Sequence, residues 1–342
     1  MDRRLAICGL GLAVILAVSA AFAEDLDTKK MAIAHKSIKM LKDPRTEHEA
    51  TVTLVSLKES AVPQLANMAK NTGEKISMRI AAIDILGDIG SQTATDAVLV
   101  TLKDSNLKIR RASAKTLGKI GDAKAIEELK ETLADFDTET RLSAIRALVA
   151  IKGPSMGDTY LGLLSDPEPR IRMYAVVGLG DLKEERAVEK LSAMTADLND
   201  DVRMQLAIAL GKIKSKKGIE ALNLLSQDRN IDVRRETLVA IGDIGDPSSV
   251  PYLITVAERD YKDLRCAAIE ALAKMKAQEA IPVLKKLLRD EIMDVRIAAI
   301  RALAQIGGSQ FSDDLKPLLT DESTKVRKEA TIALQGAKEN TK

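Results

Sequence analysis

Few residues in this chain have the type and spacing that chemistry requires. Both histidines, His35 and His48, lie near the amino end, and Cys8 falls in an apolar leader, which leaves Cys266 as the one cysteine of the remaining chain. A Ser-His or Cys-His nucleophile pair would have to form beside those histidines, where no partner is evident. The pair His48-Glu49 has the makings of a metal ligand set but occurs once. "GLGDLK" from Gly178 has the letters of a phosphate loop, yet no strand pattern precedes it. Cys266 is read either as a partly exposed thiol or as a tolerated small residue. Carboxylates are plentiful, but no spacing singles out a pair. No catalytic, cofactor-binding or metal-ligating residue is therefore assigned, and no cofactor is expected.

What does recur is arginine. Arg79, Arg110, Arg141, Arg172, Arg203, Arg234, Arg265, Arg296 and Arg327 follow one another at a constant 31 residues, and His48 stands one period before the first. Aspartate lies six residues earlier in seven units: Asp104, Asp135, Asp166, Asp197, Asp228, Asp290 and Asp321. A catalytic group is needed once, whereas a group repeated in every unit serves packing. These arginines are expected to bridge adjacent units through the turn aspartates and carbonyls.

The elements that position these columns follow from periodicity. Apolar residues at −1, +3, +7 and +10 relative to each arginine trace one face of a helix of roughly four turns. Acidic residues at −2 (Glu139, Asp201, Asp232, Asp263, Asp294) oppose the positive helix end. Gly or Lys at +11 closes the helix, Gly through a left-handed residue and Lys through its preference for a helix carboxyl end. A second, shorter apolar set follows, as in "AIPVLKKLLRD" from Ala280, with Pro251 and Pro282 in the first turn of their copies. Each unit is thus a helical hairpin whose stripes are buried only by stacking on its neighbours. Small residues at +3 or +4, such as Ala144 and Ala299, are expected to let neighbouring helices approach.

The pattern "D…VRxxAxxALGxIGDxxAIxxLxxLLxD" resembles HEAT repeats of the short PBS lyase HEAT-like type, over about residues 44–338. The resemblance implies an all-α protein, an armadillo/HEAT-like α-solenoid in which stacked hairpins wind into a right-handed superhelix. It implies also that the arginine-bearing helices line the concave side. Two enzyme classes are built on such repeats. A deoxyhypusine hydroxylase-like iron site would need several His-Glu pairs, and later units carry Arg where those would fall. A phycobilin lyase-like subunit would need acceptor proteins of the cytoplasm. The expected reading is non-enzymatic, with such an enzyme or a structural component of an envelope assembly as alternatives.

Composition agrees with helix stacking. Hydrophobic residues make up 46% of the 342 and aromatics 2%, so Leu, Ile, Val and Ala must form the core. A net charge of +2 and the shortage of aromatics argue against nucleic acid as partner. Residues 1–23 read as a secretory signal peptide: Arg3 and Arg4, an uncharged run from Leu5, then Ala21-Phe22-Ala23. Export to a bacterial periplasm or cell envelope is expected, with no membrane span after cleavage. Residues 24–43 read as an amino-terminal capping helix, and 44–342 as a single array of nine to ten 31-residue units.

Function then falls to positions the scaffold leaves free. Positions +1 and +5 lie opposite the buried stripe. In four middle units they form an expected apolar strip of Leu142, Met173, Val177, Met204, Ile208 and Val239, with Tyr174 at its edge. Arg146 and Arg235 at its ends are expected to pair with acidic groups on a ligand. Contiguous apolar surface of this kind marks an interaction site, so a protein or peptide partner is expected in the groove.

Overall fold

The helices fall where the 3.6-residue stripes place them. The computed structural model describes residues 27–153 and 156–339, every one of the regular elements being helical. The leader expected over 1–23, and the first residues of the expected capping segment, lie outside those described. The chain divides into two compact units, Met1–Gly153 and Pro154–Lys342, each a stack in itself.

In the first unit a helix over 27–40 (α1) is followed by α2 (Glu47–Ser56), α3 (Val62–Lys70), α4 (Ile76–Ile89), α5 (Thr95–Leu102), α6 (Leu107–Ile120), α7 (Ile126–Thr132) and α8 (Thr138–Ile151). The second holds α9 (Gly157–Leu163), α10 (Pro169–Asp181), α11 (Val188–Ser192), α12 (Asp200–Ile213), α13 (Ile219–Leu225), α14 (Ile231–Ile244) and α15 (Val250–Arg259). It continues through α16 (Lys262–Lys274), α17 (Ile281–Leu287), α18 (Met293–Gly307), α19 (Ser312–Leu315) and α20 (Thr324–Glu339). Long arginine-bearing helices pack side by side in chain order: α4, α6 and α8 in one unit, α10 through α20 by even numbers in the other. The shorter helices form a second layer behind them. This is an all-α, HEAT-like solenoid, with the core between the layers.

Each long helix starts and stops by local chemistry. Asn106, Asp137, Asn199 and Asn230, four residues before the arginine, accept an amide hydrogen bond from the first turn. Such a cap contributes about 1 kcal/mol. At the other end Gly90, Gly121 and Gly245 are left-handed, with φ of 68°, 72° and 71°. Lys152, Lys183, Lys214 and Lys276 are left-handed too, at 58°, 52°, 60° and 52°. Lysine therefore fills the glycine role here and bears its steric cost, rather than acting through charge alone. Changing all four lysines to glycine is expected to stabilise the protein by about 2–4 kcal/mol in total, since the left-handed penalty of about 1–2 kcal/mol per residue exceeds the entropic cost of glycine. A urea midpoint unmoved by the four changes would refute this.

The arginine column bridges successive repeats as expected. In α12 the Arg203 guanidinium donates to both carboxylate oxygens of Asp228 at 2.6 and 3.0 Å, and to the Asp197 carbonyl at 2.6 Å. Arg110–Asp135, Arg172–Asp197 and Arg296–Asp321 repeat the pairing, with both side chains largely buried. Each aspartate also accepts the backbone N–H two residues on, as Asp228 does from Asn230, and so closes the turn before its own long helix. Within the Pro154–Lys342 unit one rung lacks its aspartate. Twenty-five residues after Arg234 stands Arg259 instead of aspartate. The Arg234 Nε is buried without a partner, and its guanidinium lies 5.9 Å from the Tyr261 ring.

Close helix approach depends on a column that the periodicity did not single out. Alanines at +3 and +4 are buried, but backbone-to-backbone contact between long helices is made by glycine at +8. A Cβ on Gly118, Gly180, Gly211 or Gly242 would lie 2.8–2.9 Å from the Cα of an alanine on the next long helix: Ala147, Ala209, Ala240 or Ala271. Backbone thus meets backbone, and this contact sets the register of the layer.

Candidate functional site

That register decides what the outer face of the long-helix layer presents. In the Pro154–Lys342 unit, α10 contributes Met173, Tyr174 and Val177, α12 Met204 and Ile208, and α14 Arg235 and Val239. The Gly180–Ala209 and Gly211–Ala240 contacts hold α10, α12 and α14 alongside one another, so equivalent positions are neighbours. Met173, Val177, Met204 and Ile208 are partly exposed, and Val239 is 39% exposed. Five apolar side chains therefore form one surface strip across three helices, with Tyr174, also partly exposed, beside Met173.

Two expectations need correction. Leu142, on α8 of the other unit, is 5% exposed and belongs to the core rather than to a surface. Helical phase places +1 away from its own helix's stripe, but neighbouring side chains can still cover it. Arg146, also on α8, is exposed as expected. Arg235 is exposed but already engaged, with Asp232 at 2.8 Å and Glu236 at 3.2 Å. Its charge is compensated within the chain, so it is not a free cation for an acidic ligand.

The strip has unlike borders. Toward the helix carboxyl ends the charges are paired between neighbouring helices: Lys212 with Asp181 at 2.7 Å, and Lys274 with Asp243. Toward the amino ends Asp201, Asp232, Asp263 and Asp294 occupy equivalent positions on α12, α14, α16 and α18, while the same position on α10 holds the exposed Arg170, 2.8 Å from Glu168. Lys262 lies 3.6 Å from Asp263 and 3.3 Å from Asp294, and Arg235 serves Asp232. Asp201 is exposed and has no ion-pair partner among the described residues. These aspartates were legible in the sequence as first-turn acids. Their role as the border of a surface was not, because that depends on helices 31 residues apart lying side by side.

Cys266 occupies the +1 position of α16 on the same face. Burial, and then the nearby Asp294 and Glu270 carboxylates, push its thiol up to about 11, with Lys262 opposing. It is half-buried and a poor nucleophile. Its alkylation by iodoacetamide at pH 8 is expected to run about 100-fold slower than for an ordinary free cysteine, because the thiolate is the reacting form. A rate matching that of free cysteine would contradict the electrostatics of this face.

Elsewhere the surface offers less. A cavity of about 880 Å³ opens between α15, α17 and α19, lined by Glu258, Lys285, Lys286, Asp314 and Leu318 among others. Its charges are already matched, Lys286 with Glu258 at 2.9 Å and Lys285 with Asp314 at 2.8 Å. His35 and His48 are exposed on α1 and α2. Among the described residues no group of three or more His, Cys, Asp or Glu side chains could hold a metal ion, and no helix is long and apolar enough to cross a membrane.

Stacked two-helix repeats joined by an arginine–aspartate ladder define a helical-repeat protein with one outward layer of long helices. The profile for HEAT repeats matches over residues 62–148, 126–211, 191–265 and 250–335. The chain belongs to the HEAT-repeat family. No curated protein matches it. Among solved structures, an engineered protein is 22% identical, with 90% of this chain and 99% of that one covered and a TM-score of 0.55. Escherichia coli YibA is 20% identical, with 76% and 96% covered and a TM-score of 0.55. A mutant of Kap121p is 15% identical with a TM-score of 0.62, covering 84% of this chain and 39% of that one. At these identities the likeness is one of fold.

Proposed function

We propose that this protein is a non-enzymatic, exported scaffold that binds a protein or peptide partner on the long-helix face of its Pro154–Lys342 unit, the concave groove of a HEAT array. The observation that carries the reading is the strip of Met173, Val177, Met204, Ile208 and Val239, which the core does not require. HEAT repeats in general bind proteins. Methionine side chains also adapt to partners of varied shape. The constant period of 31 favours the short PBS lyase HEAT-like type. The leader over 1–23 favours a periplasmic or envelope location, with the partner there.

Met173→Glu combined with Ile208→Glu places two carboxylates in the strip while leaving the rungs and glycine contacts intact. Crosslinking in the native envelope fraction is expected to capture a partner with the natural chain, and at least about 10-fold less with the double variant, as loss of a central apolar cluster implies. Circular dichroism should show equal helicity. Equal capture by both chains would overturn the reading. Stoichiometric iron in the purified mature chain would overturn its non-enzymatic part.

A further inference from the structure

The arginine–aspartate ladder breaks its rule between α14 and α15, and the break has a chemical consequence. At Arg172 and Arg203 the guanidinium is used alike. Nη1 donates to the carbonyl six residues earlier, while Nε and Nη2 donate at 2.6–3.0 Å to the two carboxylate oxygens of the aspartate 25 residues on. Arg234 keeps the first contact, its Nη1 donating to the Asp228 carbonyl at 3.3 Å. Its Nε is buried without a hydrogen-bond partner. Arg296 shares that feature, but its Nη2 holds Asp321 at 3.0 Å; Arg234 has no ion-pair partner among the described residues. The column position of its aspartate is taken by Arg259, which ends α15, exposed and likewise unpaired among those residues. Neighbouring carboxylates are engaged elsewhere: Asp228 with Arg203, Asp232 and Glu236 with Arg235, Glu258 with Lys286, and Asp263 with Lys262. Asp260 accepts the Tyr261 amide at 2.7 Å.

We propose that Arg234 and Arg259 form a carboxylate-binding site, in which an acidic side chain of a partner protein or a free organic acid takes the part that aspartate plays in the other rungs. The ladder itself supplies the template. A planar guanidinium edge matches the two oxygens of a carboxylate, and the neighbouring rungs show that edge already set for such a grip. A guanidinium withdrawn from water without a counter-charge is costly, and a carboxylate from outside the chain offsets that cost. Arg259 adds a second positive charge where every other rung of this unit would place a negative one, so the local potential favours an anion. Arg234 is part-exposed, whereas Arg203 is buried. The Tyr261 ring lies 5.9 Å from the Arg234 guanidinium and is itself 69% exposed, so it can turn aside to admit the ligand. The site is separate from the apolar strip and does not depend on it.

The arginine Nε–H signals of the full mature chain, labelled with nitrogen-15, test this directly. The signal lost in Arg234→Gln identifies that of Arg234. Acetate, an end-blocked Gly-Glu-Gly tripeptide and inorganic phosphate are titrated at ionic strength held constant with chloride. Both carboxylates are expected to move the Arg234 signal while leaving those of Arg172 and Arg203 in place. Arg259→Asp returns a carboxylate to the column, so it should weaken acetate binding at least about 10-fold and raise the urea midpoint without ligand. Arg259→Gln, an exposed change that leaves the fold alone, should weaken acetate by only about 2–5-fold. A tripeptide that binds tighter than acetate assigns the site to an acidic side chain of a protein; acetate binding as tightly or tighter assigns it to a free organic acid. An Arg234 signal unmoved by either carboxylate would overturn the proposal, as would equal acetate binding by Arg259→Asp and the natural chain. Phosphate acting at lower concentration than both carboxylates would overturn the carboxylate assignment.

Discussion

Asp228→Ala is expected to destabilise the Pro154–Lys342 unit by about 3–5 kcal/mol, the cost of leaving a buried cation without its counter-charge. Arg203 is 5% exposed and cannot turn to water. Asp228 meanwhile receives two hydrogen bonds from that guanidinium and one from the Asn230 amide. One substitution therefore removes the bridge between repeats and the closure of a turn. Because each repeat touches only its neighbours, hydrogen exchange should rise first in α12 through α14 and spare α18 and α20. Removing both charges with Arg203→Met and Asp228→Leu should restore most of the loss, since a buried pair replaced by apolar groups is often neutral.

Acidity should act on the same rungs. Burial alone would raise the Asp228 carboxyl, but the Arg203 guanidinium and the Asn230 amide outweigh it and hold it below its ordinary 3.8. Asp135, Asp197 and Asp290 are held down in the same way. A carboxylate with a depressed folded pKa contributes stability fully above its unfolded value, and loses it as pH falls through the folded one. The gap between the natural chain and Asp228→Ala should thus be constant at neutral pH and narrow below 3.8. A variant with an unchanged urea midpoint at pH 7 would show that the ladder does not hold the stack.

Gly211→Leu is the second large effect. A Cβ at this position would lie 2.9 Å from both the Cα and the Cβ of Ala240. Even alanine forces a shift, and leucine must push α12 and α14 apart, at a cost of about 3 kcal/mol or more. Ala240→Gly should rescue neither change fully, because the Ala240 Cα remains in the way. That failure of rescue separates close backbone approach from ordinary side-chain crowding. Gly162, where an added Cβ meets nothing within 4 Å, supplies a control: Gly162→Ala should leave the midpoint unchanged or slightly raised. Spreading α12 from α14 also separates Met204 and Ile208 from Val239, so partner capture should weaken alongside stability.

These two sites differ in how far they could be read in advance. The arginine–aspartate rung is legible because a period of 31 with an aspartate six residues ahead of seven of the nine arginines leaves few other uses for either. The glycine at +8 keeps the same register in five units, as Gly87, Gly118, Gly180, Gly211 and Gly242. Its meaning was hidden, since glycine in a helix marks a close approach only once the opposing backbone is in place.

The sequence by itself determined the repeat, the two-helix unit, the position of the helix stops, the rungs and hence the HEAT-like solenoid. Each of these depends on residues within one repeat or at a fixed offset in the next, which a periodic sequence displays directly. Only the tertiary structure decided that Leu142 is covered, that Arg235 is neutralised by Asp232 and Glu236, and that four lysines adopt a left-handed turn. Helical phase shows where a side chain points on its own helix. What covers or neutralises it comes from other residues brought beside it by packing, and surface character is set by that arrangement.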